Sequence, residues 1–237
     1  MFPIYICWDS KVRPAEQNAI MAGMRETKAM FGCEVVYYGT DAWQFGRYKN
    51  ADEIMRTAPH NCAGQANAGN ILTMMASTMN TWIEPGAMVL FTGEDLYIDG
   101  TNWCFGAARM NARVSVQSVA RYRILDKAAL SACIRRTLRH ELGHIFTCAH
   151  DLMRSHTEMN LGEHCTNPRC SMRQTLNLAE LLRAVREENA QNCFCAQCLA
   201  DLNRFKMKYE ASEGCVVDAR GRRRERVVAS AAKKRKR

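Results

Sequence analysis

The chain has 237 residues, enough for one sizeable hydrophobic core or two small lobes, and its 47% hydrophobic and 24% charged residues suit a globular protein. No apolar run approaches the roughly 20 residues that cross a bilayer, so no spanning helix is expected. The net charge of +9 belongs to one end: ten Lys/Arg and one Glu fall between Ala219 and Arg237, leaving 23 charges of each sign elsewhere.

In chain order, Pro3–Trp8 reads as a buried strand rich in β-branched and aromatic residues. It passes at once into Asp9-Ser10-Lys11, without a basic leader or a small-residue cleavage site. It is therefore taken as a first strand and not a signal peptide, and a cytoplasmic protein is expected. Pro14 opens a helix running to Met30, with Gly32 just past its end. Cys33–Tyr38 is a second strand, Ala51–Thr57 a short helix, and Asn67–Trp82 a longer one with Ile71, Met74, Met75 and Met79 along one side. After a turn at Pro85-Gly86, Ala87–Phe91 is a third strand. Asp99-Gly100 predicts a hairpin within 95–106, and Val114–Tyr122 a fourth strand. Leu130, Ile134, Leu138, Leu142 and Ile145 then recur at helical spacing. Residues 151–172 should be irregular, and Asn177–Glu188 a last helix, started by Asn177 with Glu180 and buried through Leu178, Leu181, Leu182 and Val185. Strands alternating with helices predict an α/β fold with a mixed, mostly parallel twisted sheet. The expected organisation is one domain over 1–212, with an upper lobe to about 147, a smaller irregular C-terminal lobe over 148–212, and a basic, disordered tail over 213–237.

The chemistry concentrates in Arg139-His-Glu-Leu-Gly-His144. His140 and His144 fall one turn apart on one helix face, where two imidazoles can share a metal ion. Glu141 beside them can accept a proton from a metal-bound water that attacks a carbonyl. A chance His-Glu-x-x-His on an amphipathic helix is the bland alternative. A catalytic zinc takes three protein ligands, and two positions compete for the third. His150 has the spacing of the extended zincin pattern, but Thr147 stands where that pattern needs a glycine able to take positive φ. His164 adjoins Cys165, so the two could feed neighbouring metal sites. His156 is a weaker candidate. A second cluster, Cys165 and Cys170 with Cys195 and Cys198, has the spacing of a closed four-thiolate structural zinc.

The combination resembles the archaemetzincins, zinc peptidases of the metzincin clan. It rests on His140-ELG-His144, His164-Cys165-TNPR-Cys170-Ser171-Met172 and Phe194-Cys195-AQ-Cys198, with Leu90–Gly106 and Val114–Arg121 similar to the segments before the family's active-site helix. It covers roughly residues 87–202. The resemblance implies a zincin-like fold with an active-site helix above a zinc-stabilised C-terminal lobe. It makes His140 and His144 catalytic zinc ligands, Glu141 the general base, Met172 the methionine beneath the metal, and the four cysteines a second zinc site. It also implies that the strand bearing Val114, Val116 and Ser118 is the edge that pairs with an extended peptide. Two departures stand out: position 147 is not glycine, and the path from His144 to His164 is longer than usual.

Together these predict a hydrolase with two zinc ions, cleaving peptide or protein substrates. The competing expectation is a catalytically degenerate, zinc-stabilised binding protein whose tail contacts nucleic acid. Arg220–Val228 and Lys233–Arg237 suit non-specific contact with nucleic acid or another polyanion, without interleaved aromatics to stack on bases. A four-thiolate redox protein would leave the histidine motif unexplained.

Overall fold

The computed structural model describes all residues except 1, 44–45, 81–85, 189–192, 214–215, 218–222 and 225–237. Its frame is a sheet in which β1 (Phe2–Trp8) pairs in parallel with β2 (Cys33–Gly39) on one side and β4 (Ala87–Thr92) on the other. Almost every residue of β1 and β4 is buried, as expected of parallel strands covered on both faces. Successive side chains alternate between two cores: Ile4, Ile6, Val89 and Phe91 enter one, and Cys7, Met88 and Leu90 the other. The first core is roofed by α1 (Pro14–Phe31), the second by α2 (Ala51–Thr57) and α3 (Ala68–Asn80). α1 starts with Pro14, is capped by Glu16 reaching back to the Arg13 amide, and stops at Gly32 in the left-handed conformation.

The second half of the sheet departs from expectation in two ways. Leu96 bridges Cys104 around the Asp99-Gly100 turn, but Leu96–Tyr97 (β5) pairs in parallel with β3 (Ala66–Asn67), so the predicted hairpin is a single bridge. An unforeseen strand, β6 (Gly106–Arg109), runs antiparallel to β7 (Val114–Ser118), giving the order β2-β1-β4-β7-β6. Val114, Val116 and Ser118 therefore do not lie on an edge: β7 is paired on both sides, and the free edge belongs to β6. β7 also ends at Ser118, earlier than expected, because the Ser118 hydroxyl accepts from the Ala120 amide and starts a 3-10 turn over Ala120–Ile124.

α4 (Lys127–Ile145) begins where Asp126 caps the Ala129 amide, and carries Ile134, Leu138, Leu142 and Ile145 into the first core. The stretch expected to be irregular contains a short hairpin, β8 (Thr157–Met159) with β9 (Glu163–Cys165). α5 (Leu178–Glu187) opens as predicted, with the Asn177 side chain accepting from the Glu180 amide. It is not the last helix. α6 (Ala196–Glu213) follows, and Leu199, Leu202, Phe205 and Tyr209 form the stripe that packs it on the first core, with Phe205 and Tyr209 edge-on to Phe2. That core thus holds residues from both 1–147 and 148–212. The tail over 213–237 lies largely outside the described residues; within it Val216–Val217 pairs with Arg223–Arg224. Among the described residues no helix is long and apolar enough to cross a membrane.

α4 ends on a Schellman turn. The Cys148 amide donates to the Gly143 carbonyl and the Thr147 amide to the His144 carbonyl, which puts Thr147 at φ +62°. The backbone there is what glycine favours, held by a β-branched residue at a cost of about 1–3 kcal/mol. Thr147→Gly should therefore raise unfolding stability by about 1 kcal/mol, after allowing for the extra freedom glycine gives the unfolded chain. Urea denaturation checks this; an unchanged or lowered midpoint would show that the turn is not strained.

Candidate metal centre

His140 and Glu141 face inward from α4, each under a tenth exposed, with His144 one turn further and partly buried. His164, on β9, is buried against them. The three rings lie mutually within 5.1 Å between centroids, His140 and His164 nearly parallel and His144 edge-on to both. Two rings are fixed in tautomer by the backbone. His140 Nδ1 donates to the Ser171 carbonyl at 2.8 Å and His164 Nδ1 to the Gly162 carbonyl at 3.0 Å, leaving each Nε2 with its lone pair free. His140 Nε2 and His144 Nε2 stand 3.3 Å apart. Two nitrogens each about 2.05 Å from a tetrahedral zinc would be about 3.3 Å apart, so the donor set fits that ion.

The electrostatics agree. Burial, and then His144, holds His140 well below the usual histidine range, while burial and then His164 push His144 down to about 3. Burial also lowers His164. Neutral imidazoles are the form that ligates a metal. Desolvation alone pushes the Glu141 carboxyl up to about 8; a nearby cation would act in the opposite direction.

The other candidates do not join the triad, although His150 lines the cleft beside it. His150 is more than half exposed and pairs with Glu163 at 3.4 Å, and His156 is exposed. The excursion 146–163 therefore loops outward and brings back His164, not His150, to the helix pair.

Cys165, Cys170, Cys195 and Cys198 bring their sulfurs within 4.8 Å of one another. Cys165 and Cys195 are 3.7 Å apart, near the about 3.8 Å between thiolates on a tetrahedral zinc and far from a disulfide bond length. Hydrogen bonding among the four raises Cys170 and Cys198 and lowers Cys165 and Cys195. All four are free cysteines, and the Cys195 amide points at Cys170 Sγ at 3.4 Å.

The two clusters share one short loop. The Cys165 amide donates to the Met172 carbonyl at 3.0 Å, closing 165–172 upon itself. Arg136, almost wholly buried in α4, donates to the carbonyls of Cys170, Ser171 and Arg173. Arg139 and the Ser171 hydroxyl both bond Glu188. Met172 is fully buried with its sulfur against Gly143, where a side chain on position 143 would have to stand. Neither arginine was legible as a clamp in the sequence, since arginine on a helix ordinarily faces water.

A cleft of about 390 Å³ runs over the histidines, lined also by Trp103, β6, Leu161 and Leu176. Arg121 stacks on Trp103 at 4.1 Å and forks onto Asp95, so the Trp103 wall is rigidly backed. Gly106 brings the start of β6 over the face of α4 that carries Glu141: a Cβ there would lie 2.8 Å from Glu141 Oε1.

No family model matches the chain. Archaemetzincin from Methanopyrus kandleri is 34% identical over 113 residues, 48% of this chain and 53% of that protein, so the match spans about half of the relative's length. The crystal structure of that protein superposes with a TM-score of 0.65 at 22% identity, covering 87% of this chain and 96% of the other. A zinc-dependent peptidase from Methanocorpusculum labreanum gives 0.60 at 22% identity, covering 84% and 100%. Archaemetzincin from Archaeoglobus fulgidus, complexed with malonate, gives 0.54 at 22% identity, covering 84% and 99%. The mixed, mostly parallel sheet with its helix and cysteine-bearing lower region is the fold of these neighbours.

The Gly143–Met172 contact yields a sharp expectation. Gly143→Ala must displace the Met172 sulfur, and overpacking of this kind costs about 1–3 kcal/mol. Thermal unfolding should register that loss, and the variant should retain less metal at the histidines. A variant of native stability and metal content would show that Met172 does not set the floor of the site.

Proposed function

We propose that this archaemetzincin-like chain is a zinc-dependent peptidase whose catalytic ion is held by His140, His144 and His164. The observation that carries the reading is the convergence of three buried imidazoles, two of them with Nδ1 pinned to backbone carbonyls so that Nε2 is the free donor. Zinc at that point would polarise a scissile carbonyl and lower the pKa of its water toward neutrality. The fold and the partial sequence match to an archaemetzincin support it.

Glu141 is the general base in this reading. It projects from α4 between the histidines and the start of β6, buried from bulk water. As a carboxylate it accepts the proton of the attacking water and delivers it to the leaving amine. The peptide lies extended along the free edge of β6, whose unpaired backbone groups can pair with it; β6 takes the role first expected of Val114–Ser118. Gly106 keeps that edge bare where it passes Glu141. Met172 supports the histidine pair from below through Gly143.

A second zinc, held by Cys165, Cys170, Cys195 and Cys198, has a structural role: all four positions of the tetrahedron are filled, leaving none for substrate. Free cysteines, and none in a disulfide among those described, suit a reducing compartment, and we place the protein in the cytoplasm. Contact between the basic tail and a polyanion is a separate, salt-sensitive attachment that the peptidase reading does not need. The binding-protein alternative drew on Thr147 not being glycine and on the long path from His144 to His164; Thr147 takes the left-handed conformation itself, and the path returns His164 to the helix pair.

Glu141→Gln should retain its zinc and lose peptide cleavage by about 100- to 10,000-fold, the usual span for a general base. Cleavage that persists at wild-type rate would sink the mechanism. For the third ligand, zinc content should fall by one ion per chain in His164→Ala and stay unchanged in His150→Ala, by atomic absorption on the purified proteins. The reverse pattern would transfer the role to His150.

A further inference from the structure

The excursion between His144 and His164 is tied down by α6, at the foot of the cysteine cluster. The Ala149 amide donates to Asp201 Oδ2 at 3.0 Å, and Arg154 pairs with the same carboxylate at 2.7 Å. Arg154 Nη2 also donates to Cys198 Sγ at 3.1 Å. Its side chain is only 9% exposed; Nη1 is the atom of the ion pair with Asp201, and Nε is buried without a hydrogen bond among the described residues. Asp201 is meanwhile shared with Arg204. Arg204 is 60% exposed, so its charge is solvated; the buried Arg154–Asp201 pair is neutral in itself and turns the other terminal nitrogen of Arg154 to the sulfur. Four thiolates around a divalent ion would carry a net charge of about −2, which a guanidinium donor within hydrogen-bond distance of one sulfur offsets.

We propose that Arg154 is a positioning residue of the cysteine metal site. It acts through Cys198, donating a hydrogen bond to the ligating sulfur and offsetting the negative charge of the loaded cluster, and the same contact pins the loop that returns His164 to the histidine helix. The proposal rests on the reading that the four cysteines hold zinc. It explains why an exposed excursion buries one long cation where it packs on α6: filling the cysteine site and fixing the approach to His164 become one event.

The experiment follows zinc release from the full-length, zinc-loaded protein to an excess of the chromophoric chelator 4-(2-pyridylazo)resorcinol. The slow phase, from the cysteine site, is compared in wild type, Arg154→Lys and Arg154→Met. Release should be roughly 10- to 100-fold faster in Arg154→Met, the usual loss for a removed outer partner of a metal site, and closer to wild type in Arg154→Lys. With cobalt in the cluster, the sulfur-to-metal charge-transfer band should move to lower energy in Arg154→Met, because Cys198 loses the donor that stabilises its lone pair. A residue that merely tethered the loop would leave that band in place. Unchanged release together with an unmoved band would overturn the proposal. Should Arg154→Met not fold, Arg154→Gln, a neutral donor, is read in the same two ways. Absence of any cysteine-bound metal in the wild type would instead overturn the cluster reading itself, and this proposal with it.

Discussion

The hydrogen bond from His140 Nδ1 to the Ser171 carbonyl joins everything else in the lower half of the molecule. On one side it fixes an imidazole on the central helix; on the other it fixes a loop whose first and sixth residues, Cys165 and Cys170, belong to the cysteine cluster. The residue just before that loop is His164. A shift of Ser171 by an ångström would turn the His140 ring, move His164 through the chain, and pull two sulfurs out of place. Each candidate metal centre thus takes part of its ligand set from that closed loop or the residue before it, and the loop is laid against the helix that carries the other histidines.

What holds the loop to the helix is mostly polar, and it is buried. Arg136 gives its guanidinium to three backbone carbonyls, and burial depresses its affinity for the proton without a carboxylate in direct contact. Arg139 and Ser171 converge on Glu188. Buried ionic networks of this kind add little net stability against apolar residues of equal volume, because desolvation consumes most of the attraction. Their value here is directional. Three carbonyls on one rigid fork admit a single path for residues 170–173, whereas an apolar contact would let the loop slide. The apolar counterpart is Met172 on Gly143, a close approach that no residue with a Cβ permits.

Much of this was legible in the sequence wherever the signal was local. The helix with its two histidines shows in its periodicity, the cysteine quartet in its spacing, and the caps of α1 and α5 in single residues. The third histidine was harder, because position 150 and position 164 differ by a loop whose course depends on distant contacts. β6 was missed since Gly-Ala-Ala-Arg has no strand-forming side chains; it is a strand because β7 offers it a partner. That oversight put the sheet edge one strand too far in. α6 is hidden in the sequence although Leu199, Leu202, Phe205 and Tyr209 recur at helical spacing, because the cysteines at its start point to an irregular metal-binding segment. Arg136 and Arg154 carry no local mark at all, since only the fold turns them inward.

The excursion from Ile145 to Glu163 shows how a long detour can still bring its last residues back to the starting helix. Helix α4 must end abruptly for the chain to come back, and glycine is the usual means; here Thr147 and Ala149 both take φ near +62°, and His156 and Leu161 follow with φ of +60° and +54°. Four residues with side chains in a conformation each disfavours by about 1–2 kcal/mol do not hold it of their own accord. They are held by their surroundings: Thr147 by the turn that ends α4, His156 by the Thr166 amide on its carbonyl, and Ala149 and Arg154 by Asp201 of α6, with the β8–β9 pairing beyond. The strain is local to the loop, but part of the restraint comes from the helix that begins inside the cysteine cluster. On that account the cluster does more than stabilise the lower region: it helps keep a strained path closed so that His164 arrives opposite His140 and His144.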